Sequence, residues 1–434
     1  MRSDKTAIVW FTTDLRLQDN ETLIKACEAY KMVLPVFIFQ PYWFQVTTFG
    51  TQKLGAKRLA FLKECLFDLK KNLKLIGGDL LIQFGRPEYV LYELAKKYNV
   101  EKVFVKKEVP FEELQIQKTV TDQLMKINVE LEVFSTSTLF HPDDLPFSIK
   151  DIPEVFTNFR KKVEKESTIR SCYSAPDTIT LPPSLPADQW PPDTIMSLID
   201  QLQIHAHTSF PFKGGETEAK NRLNFYFHES KLVSGYKDTR NGMAGVNYSS
   251  KFSPWLALGC MSPRLIYHEL KQFEQQHGSN DSTYWLFFEL MWRDYFRFLM
   301  KKNSYGYFLK HGIKPELKHA EEHQAHVFEK WKNGNTGTPI IDAAMNELNK
   351  TGFMSNRARQ LVASYLVNDL RSDWRYGAAY FEEMLIDYDV CSNWGNWAYL
   401  AGVGNDPRGK RYFDINKQTE AYDKNAIYRN LWLN

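Results

Sequence analysis

Residues 32–39 are the stretch that decides the fold of the first part of the chain: Met32-Val-Leu-Pro-Val-Phe-Ile-Phe39. All eight residues are apolar, and five of them are β-branched or aromatic. A short, continuously apolar run of this kind is typical of a strand that is buried on both faces, as in a parallel sheet. The run is also far too short to span a membrane.

Four further short runs are also rich in apolar and β-branched residues, and amphipathic segments separate the five runs. The strands are predicted at residues 6–11, 32–39, 79–84, 102–105 and 129–134. The helices between them are predicted at residues 20–30, 52–73, 87–98 and 112–126. This alternation predicts a doubly wound parallel sheet over residues 1–135. Because no GxGxxG follows the first strand, the dinucleotide-binding fingerprint of a Rossmann domain is missing.

Residues 136–205 are predicted to form a long, ordered linker. Nine of the 19 prolines lie between Pro142 and Pro192, and proline fixes φ and removes a backbone donor. One helix is expected there, at residues 153–166. From 206 to 434, apolar residues at three- and four-residue spacing predict an all-helical domain. Its helices are expected at residues 221–232, 263–277, 284–302, 339–348, 356–370 and 376–385.

Composition limits the classes of function. The net charge of the 434 residues is only +3, so nucleic-acid binding would need a local basic patch. The five scattered cysteines include no CxxC pair, which argues against a disulfide framework and favours a reducing compartment. The N-terminus lacks a signal-peptide pattern, and we expect a cytoplasmic protein that has no membrane segment.

Aromatic residues make up 15% of the chain, and eight of the 11 tryptophans lie after residue 250. They indicate either a large aromatic core or a site that uses rings for stacking or electron transfer. Residues 404–411, GNDPRGKR, lack the Ser or Thr that a phosphate-binding P-loop requires. His319, His323 and His326 are better explained by a solvated helix than by a zinc site, so we expect no metal.

Several segments together identify a family, and they occur in its order along the chain. They are residues 9–16 (VWFTTDLR), Tyr236, 248–259 (YSSKFSPWLALG), 289–296 (ELMWRDYF), 336–342 (TGTPIID), 352–359 (GFMSNRAR) and 385–397 (LIDYDVCSNWGNW). The chain closely resembles the photolyase/cryptochrome flavoproteins over essentially its whole length. Residues 402–408 (GVGNDPR), Gln360 and Tyr399 resemble the cryptochrome-DASH branch. Ser355 and Asn356 stand where (6-4) photolyases carry a histidine pair, which disfavours that activity.

The resemblance implies an FAD held inside the helical domain, with the protein positioning it and tuning its electronics. The residues that match the family's contacts to the cofactor are Tyr236, Ser249, Ser250, Ser253, Arg359, Asp387, Asp389 and Asn393. In this match, Arg359 pairs with Asp387, and Asn393 faces flavin N5. A neutral amide there tolerates a reduced flavin.

The resemblance also assigns residues to a pyrimidine dimer in DNA. Glu289, Trp292 and Asn356 match the catalytic residues that contact the lesion, and Asn393 acts through the flavin. Tyr399 and Gln360 are expected beside the lesion. Basic residues are expected at DNA phosphates, although each is equally well explained by a solvated helix face. These residues are Arg293, Arg357 and Arg408.

Trp397 and Trp374 match the first two members of the family's photoreduction chain. The third position is Glu321, so either another aromatic residue such as Tyr305 or Tyr307 ends the chain, or photoreduction is slower. An antenna cofactor, with methenyltetrahydrofolate as the candidate, is expected in the N-terminal domain near Glu108. Thr12 stands where many relatives have arginine.

We therefore expect a light-driven deoxyribodipyrimidine photo-lyase that repairs cyclobutane pyrimidine dimers, preferentially in single-stranded DNA, through reduced FAD. The alternative is a blue-light-sensing cryptochrome that signals, or regulates through nucleic acids, without repair. RNA is a further partner that the resemblance allows, and we expect a monomer.

Overall fold

The computed structural model describes residues 2–314, 322–406, 409 and 411–433. His319, Glu321 and Arg408, on which predictions were made, lie outside the described residues. Within the described part, no helix combines the length and the apolar character needed to cross a membrane.

The N-terminal part is a sheet of five parallel strands in the order β3-β2-β1-β4-β5. The strands are β1 (Ser3–Phe11), β2 (Tyr30–Phe39), β3 (Leu81–Phe84), β4 (Val100–Lys106) and β5 (Glu130–Phe134). The connecting helices are α1 (Glu21–Ala29), α2 (Ala56–Leu75), α3 (Pro87–Lys97) and α4 (Phe111–Met125). The predicted strands and helices are confirmed, with ends that differ by a few residues.

Alternate residues of the strands face two different cores. Val9 and Phe11 pack with the apolar faces of α1 and α2, whereas Ile8 and Trp10 pack with those of α3 and α4. Both faces of the sheet are therefore covered by helices, which confirms the doubly wound arrangement. The core that contains Val9 continues into the helical half of the molecule.

Two helices lie in the linker, α5 (Phe156–Glu166) and α6 (Asp193–Asp200). The sequence predicted only the first. The second follows two prolines and is only eight residues long. Its residues Ile195, Met196 and Ile199 pack against the main core beside α2. Tertiary packing of this kind stabilises a helix too short to form alone.

The described part after residue 205 is helical, as predicted. A helix predicted at residues 356–370 instead ends as an α-helix at Ser364 and continues as a wider π-helical turn over Tyr365–Asp369. The helices are α7 (Glu216–Asn224), α8 (Tyr236–Thr239), α9 (Ser253–Ala257), α10 (Pro263–His277), α11 (Asp281–Asn303), α12 (Ala325–Lys332), α13 (Pro339–Thr351), α14 (Asn356–Ser364), α15 (Trp374–Met384), α16 (Val390–Leu400), α17 (Ile415–Tyr422) and α18 (Ile427–Leu433).

A buried ion pair joins the sheet to the helices. The carboxylate of Asp19 accepts hydrogen bonds from Nε and Nη2 of Arg264, at 3.0 and 2.6 Å, and from the hydroxyl of Ser262. Close by, Gly259 has a φ of +68°, and a β-carbon there would lie 2.2 Å from the carbonyl oxygen of Thr13. Only glycine allows this approach of the two backbones.

Helix α11 also holds the linker. Asp294 is fully buried, and its carboxylate accepts hydrogen bonds from the backbone N–H groups of Leu139 and Phe140 at 3.0 and 2.8 Å. Because these N–H groups have no strand partner, the carboxylate satisfies donors that would otherwise be lost in the interior.

Candidate functional site

The acidic pair predicted at the flavin lies where the chain enters α16. Arg359 on α14 donates from Nη2 to one oxygen of Asp387 at 2.8 Å, and its Nε donates to the carbonyl of Met354 at 2.9 Å. The other oxygen of Asp387 is buried and has no hydrogen-bond partner among the described residues. A buried acceptor without a donor fits a ligand that carries N–H or O–H groups, as FAD does.

Asp389 forms the N-cap of α16, since its carboxylate accepts from the backbone N–H of Ser392 at 2.8 Å. Burial opposes its ionisation, but Arg293, Arg297 and Ser392 together lower the pKa of this carboxyl below its usual value. One turn later, Nδ2 of Asn393 donates to the carbonyl of Ala378 at 2.9 Å. This bond fixes the amide so that its oxygen points away from Ala378.

The phosphate stretch predicted at Ser249, Ser250 and Ser253 lies in a loop that leads into α9. Ser249 and Lys251 both have positive φ values, near 60°, which turn the backbone sharply. Lys251 is buried, and its ammonium group has no hydrogen-bond partner among the described residues. Burial lowers the pKa of this amine to about 6, and a bound anion would favour its protonated form. The unpartnered amine and the three serine hydroxyls of the same loop are groups of the kind that donate to a diphosphate.

Glu289 is paired with an arginine that the sequence did not single out. Its carboxylate forms an ion pair with Arg240, and both side chains are partly exposed. The guanidinium of Arg240 also lies 5.3 Å from the ring of Trp285. Burial raises the pKa of Glu289, while Arg240 opposes that rise. The predicted Tyr236 is buried beside the same pair, and burial raises the pKa of its hydroxyl well above the usual value.

Asn241, the residue after Arg240, binds an arginine of α14. Oδ1 of Asn241 accepts from Nη2 of Arg357 at 3.1 Å. Arg357 belongs to the first turn of α14, which also carries Asn356, exposed at the helix start. Gln360 lies one turn further, with its side-chain oxygen buried and unpartnered in the described part of the chain. The adjacent residues Arg240 and Asn241 thus link Glu289 on α11 to the first turn of α14, which carries Asn356. We call the surface region around Glu289 and Asn356 the mouth.

Two predicted aromatic residues, one on α11 and one on α16, are in ring contact. The ring of Trp292 stands edge-on to that of Tyr399, with centroids 5.9 Å apart. Its other face stacks on Phe156 of the linker at 3.7 Å. Arg411 lies over Tyr399, 4.6 Å from the ring centre, and is held there by Asp406. The sequence indicated neither Arg411 nor Phe156, and the partner of Phe156, Trp292, is far away along the chain.

Arg293 does not face the mouth. Its guanidinium donates to the backbone carbonyls of Ser137 and Leu256, at 2.6 and 3.2 Å. These bonds join the linker to α9, and the charge faces Asp389 rather than solvent. The prediction that Arg293 contacts a DNA phosphate is therefore withdrawn, since a guanidinium committed to internal carbonyls is unavailable to an external anion.

The two predicted electron-transfer residues are buried on neighbouring helices. A β-carbon at Gly377 of α15 would lie 2.3 Å from the ring of Trp397. Trp374 lies three residues before Gly377, so it occupies the same face one turn away. The ring packed edge-on against Trp374, at 5.7 Å, is Trp394. Neither Tyr305, which packs on Phe111, nor Tyr307, whose hydroxyl binds Asn405, takes that place.

A cavity lies between the sheet and the helical half. Glu108, predicted at the antenna, lines it and accepts from the hydroxyl of Thr12 at 3.1 Å. Lys106 lies 2.7 Å from the same carboxylate, so Thr12, Lys106 and Glu108 form one polar cluster. Trp10 and Trp43 supply aromatic walls. Aromatic walls with a few fixed polar groups suit a planar organic molecule.

Comparison with known proteins agrees with this architecture. Residues 7–183 match the model of DNA photolyase, and residues 285–434 match that of the FAD binding domain of DNA photolyase. Cryptochrome DASH of Synechocystis sp. is 46% identical over 429 residues, which cover 99% of this chain and 87% of that protein. Cryptochrome DASH, chloroplastic/mitochondrial, of Arabidopsis thaliana is 46% identical over 98% of this chain and 75% of that protein.

Solved structures show the same relationship. A cryptochrome from Synechocystis sp. superposes with a TM-score of 0.95 at 45% identity, over 100% of this chain and 89% of that one. A class III photolyase from Agrobacterium tumefaciens superposes with a TM-score of 0.84 at 26% identity, over 100% and 87%. The chain belongs to the photolyase/cryptochrome family, within its cryptochrome-DASH branch, and carries that family's FAD-binding domain.

Proposed function

We propose that the protein repairs cyclobutane pyrimidine dimers in light, preferentially in single-stranded DNA, by electron transfer from reduced FAD. One observation carries the proposal: the adjacent residues Arg240 and Asn241 bind Glu289 and Arg357, and so bring α11 and α14 to one mouth. Family membership supports light-dependent DNA repair or blue-light sensing, and the mouth favours repair.

Each side chain at the mouth has a chemical task. Glu289 and Asn356 hydrogen-bond the base edges of the dimer, while Trp292 and Tyr399 pack against its faces and exclude water. Arg357 contacts a phosphate. FAD, when bound and reduced, supplies under light the electron that splits the cyclobutane ring and takes it back afterwards. In this proposal, Asn393 and the Arg359–Asp387 pair hold the FAD.

Single strands are the preferred substrate in this proposal because the lesion must leave the base stack to enter the mouth. A duplex loses pairing and stacking when a nucleotide turns out, at a cost of a few kcal/mol, whereas a single strand loses less; photolyases are among the enzymes for which this is described. A monomer is sufficient, since the mouth is built from one chain. RNA that is single-stranded would meet the same mouth.

We further propose that the cavity lined by Glu108 holds an antenna cofactor, with methenyltetrahydrofolate as the candidate. The polar cluster of Glu108, Lys106 and Thr12 supplies donors and acceptors for a heterocycle, and Trp10 supplies a face for stacking. A location in the cytoplasm also stays a prediction, since the similar protein of Arabidopsis thaliana is described as chloroplastic/mitochondrial.

The test is repair of one thymine dimer in matched single-stranded and duplex oligonucleotides, in light and in darkness, with bound flavin reduced beforehand. We expect light-dependent repair of the single strand and little repair of the duplex. Glu289→Gln should reduce repair, whereas Lys417→Ala, at an exposed lysine of α17, should not. Absence of repair despite bound, reduced FAD would contradict the proposal and favour the blue-light sensor.

A further inference from the structure

Trp394 is a buried tryptophan that no predicted role includes. It lies on α16 between Asn393 and Trp397 and is 4% exposed. Its ring packs edge-on against Trp374 with 5.7 Å between centroids. Trp374 is the second member of the predicted electron-transfer chain, and the third position of that chain is Glu321 instead of a tryptophan. Trp394 is a tryptophan in direct ring contact with Trp374.

The indole N–H groups of the neighbouring tryptophans have different partners. Nε1 of Trp374 donates to the backbone carbonyl of Lys310 at 3.0 Å, and Nε1 of Trp331 donates to that of Val362 at 2.9 Å. Nε1 of Trp394 instead donates to the hydroxyl of Tyr388 at 3.2 Å and to Oε2 of Glu382 at 3.4 Å. A backbone carbonyl cannot take up the proton it binds, whereas a carboxylate can.

Charged groups from three elements surround Glu382 on α15. Nζ of Lys53 lies 3.4 Å from Oε1 of Glu382 and 2.6 Å from Glu112 of α4. On α2, the guanidinium of Arg58 lies 4.7 Å from the ring centre of Tyr388 and attracts the same carboxylate. Lys53 and Arg58 thus place two cations near the carboxylate of Glu382. If Glu382 became neutral, Lys53 would keep Glu112 as its partner.

We infer that Trp394 is the terminal electron donor of the tryptophan chain and that Glu382 accepts its indole proton. The inference rests on the proposed function, because repair needs reduced FAD, and on the predicted chain in which light-excited, oxidised FAD would withdraw an electron through Trp397 and Trp374. Trp394 then gives one electron to oxidised Trp374. Its Nε1–H bond breaks, and an O–H bond forms on Oε2 of Glu382.

The step conserves charge, and it explains why the tryptophan radical would be long-lived. One positive charge on the ring and one negative charge on Glu382 disappear together, leaving a neutral indolyl radical and a neutral acid. Return of the electron then requires the proton to move back as well. A thiolate supplied in solution later gives one electron to the indolyl radical and becomes a thiyl radical, and Glu382 returns its proton to Nε1.

A second ring could compete for the same role. Phe49 lies 6.2 Å from Trp394 and 5.2 Å from Tyr376, which is partly exposed and stacks on His323. A hole that reached Tyr376 would appear as a tyrosyl radical. The spectrum of a tyrosyl radical differs from that of a tryptophan radical, so the two outcomes can be told apart.

The experiment is flash spectroscopy with electron paramagnetic resonance on the full chain loaded with FAD alone, in H₂O and D₂O. In the wild type we expect a long-lived, deprotonated tryptophan radical whose formation slows in D₂O. Trp394→Phe should abolish that radical and accelerate charge recombination. Glu382→Gln should keep the initial electron transfer but lose the deprotonation and its solvent isotope effect. Tyr376→Phe should behave like the wild type.

Flavin content and the unfolding midpoint of each variant establish that it is folded, and Glu382→Gln tests the inference if Trp394→Phe does not fold. An unchanged radical in Trp394→Phe, an unchanged isotope effect in Glu382→Gln, or loss of the radical only in Tyr376→Phe would overturn the inference while leaving the proposed function intact. A wild-type chain that takes up no flavin would overturn both.

Discussion

Glu108 and Asp389 lie on opposite sides of the guanidinium of Arg297, whose nitrogen atoms are 3.8 and 3.5 Å from the two carboxylates. Both carboxylates line the cavity between the sheet and the helices; Glu108 follows β4, and Asp389 also begins α16 at the candidate flavin site. A single buried cation therefore touches both sites. A change of charge at one site therefore alters the electrostatic potential at the other site.

The ion pair between Arg359 and Asp387 leads to a prediction about stability. Arg359→Ala would leave the carboxylate of Asp387 buried without its partner, and we expect a loss of about 2 kcal/mol, below the usual range for a fully buried pair because Arg359 is partly exposed. Urea unfolding of flavin-free and flavin-loaded protein measures it. Arg359→Ala combined with Asp387→Asn should recover most of the loss, and an equal loss in the double variant would show that the pair is not the cause.

Asn393 is the position at which a charge should matter most to the flavin. Asn393→Asp replaces the N–H donor to Ala378 with a second acceptor and places a negative charge in a buried site. We expect reduction of the bound flavin to become less favourable by roughly 1–3 kcal/mol. Spectroelectrochemical titration measures the shift. Asn396→Asp, on the exposed side of the same helix, is the control and should leave the potential unchanged.

Glu113 makes stability depend on pH. It lines the cavity between the sheet and the helices, where burial and then the charge of Glu108 raise its pKa from 4.5 to about 8. The folded protein thus binds more protons than the unfolded chain between these values, so its stability falls as the pH rises from about 5 to 8. We expect Glu113→Gln to be more stable than the wild type at pH 9, by about 2 kcal/mol, and to lose most of this dependence.

Denaturant unfolding at pH 5, 7 and 9 tests this prediction. Glu112→Gln is the matched control, since its side chain is half exposed and pairs with Lys53. If Glu113→Gln and the wild type followed the same pH curve, the carboxyl of Glu113 would not be the group responsible.

Gly377 on α15 allows the ring of Trp397, on α16, to pack against the backbone of α15. In Gly377→Ala the new methyl group would meet that ring at 2.3 Å, and overpacking of this kind costs about 1–3 kcal/mol. The better helix propensity of alanine returns at most about 1 kcal/mol. We expect a net loss of stability together with slower photoreduction. Gly235→Ala, where no atom lies within 4 Å of the new group, should change neither, and an unperturbed Gly377→Ala would contradict the proposed packing.

Much of the fold was predictable because its signals are local. The strand at residues 32–39 is apolar throughout and is buried as predicted from Val33 to Phe39. Helix α6 was not predictable in the same way. Its eight residues depend on packing against α2, which a proline-rich segment does not reveal.

The site was predictable only where family motifs reach. Asn393 and Asp387 could be placed by their segment, and the contact of Arg359 with Asp387 was expected. Arg240, 49 residues before Glu289, could not be found, since no local pattern pairs two such distant side chains. Arg293 misled for the opposite reason: a basic residue on a helix looks solvated until the chain segment that covers it is known.

The ion pair of Asp19 with Arg264 has a consequence for biosynthesis. The two residues are 245 positions apart in the chain. At a translation rate of about 5–20 residues per second, Asp19 leaves the ribosome roughly 10–50 s before its partner. During that interval its carboxylate has neither the arginine nor the shelter it has in the finished protein. The loop between β1 and α1 therefore reaches its final set of contacts only after Ser262 and Arg264 have been made.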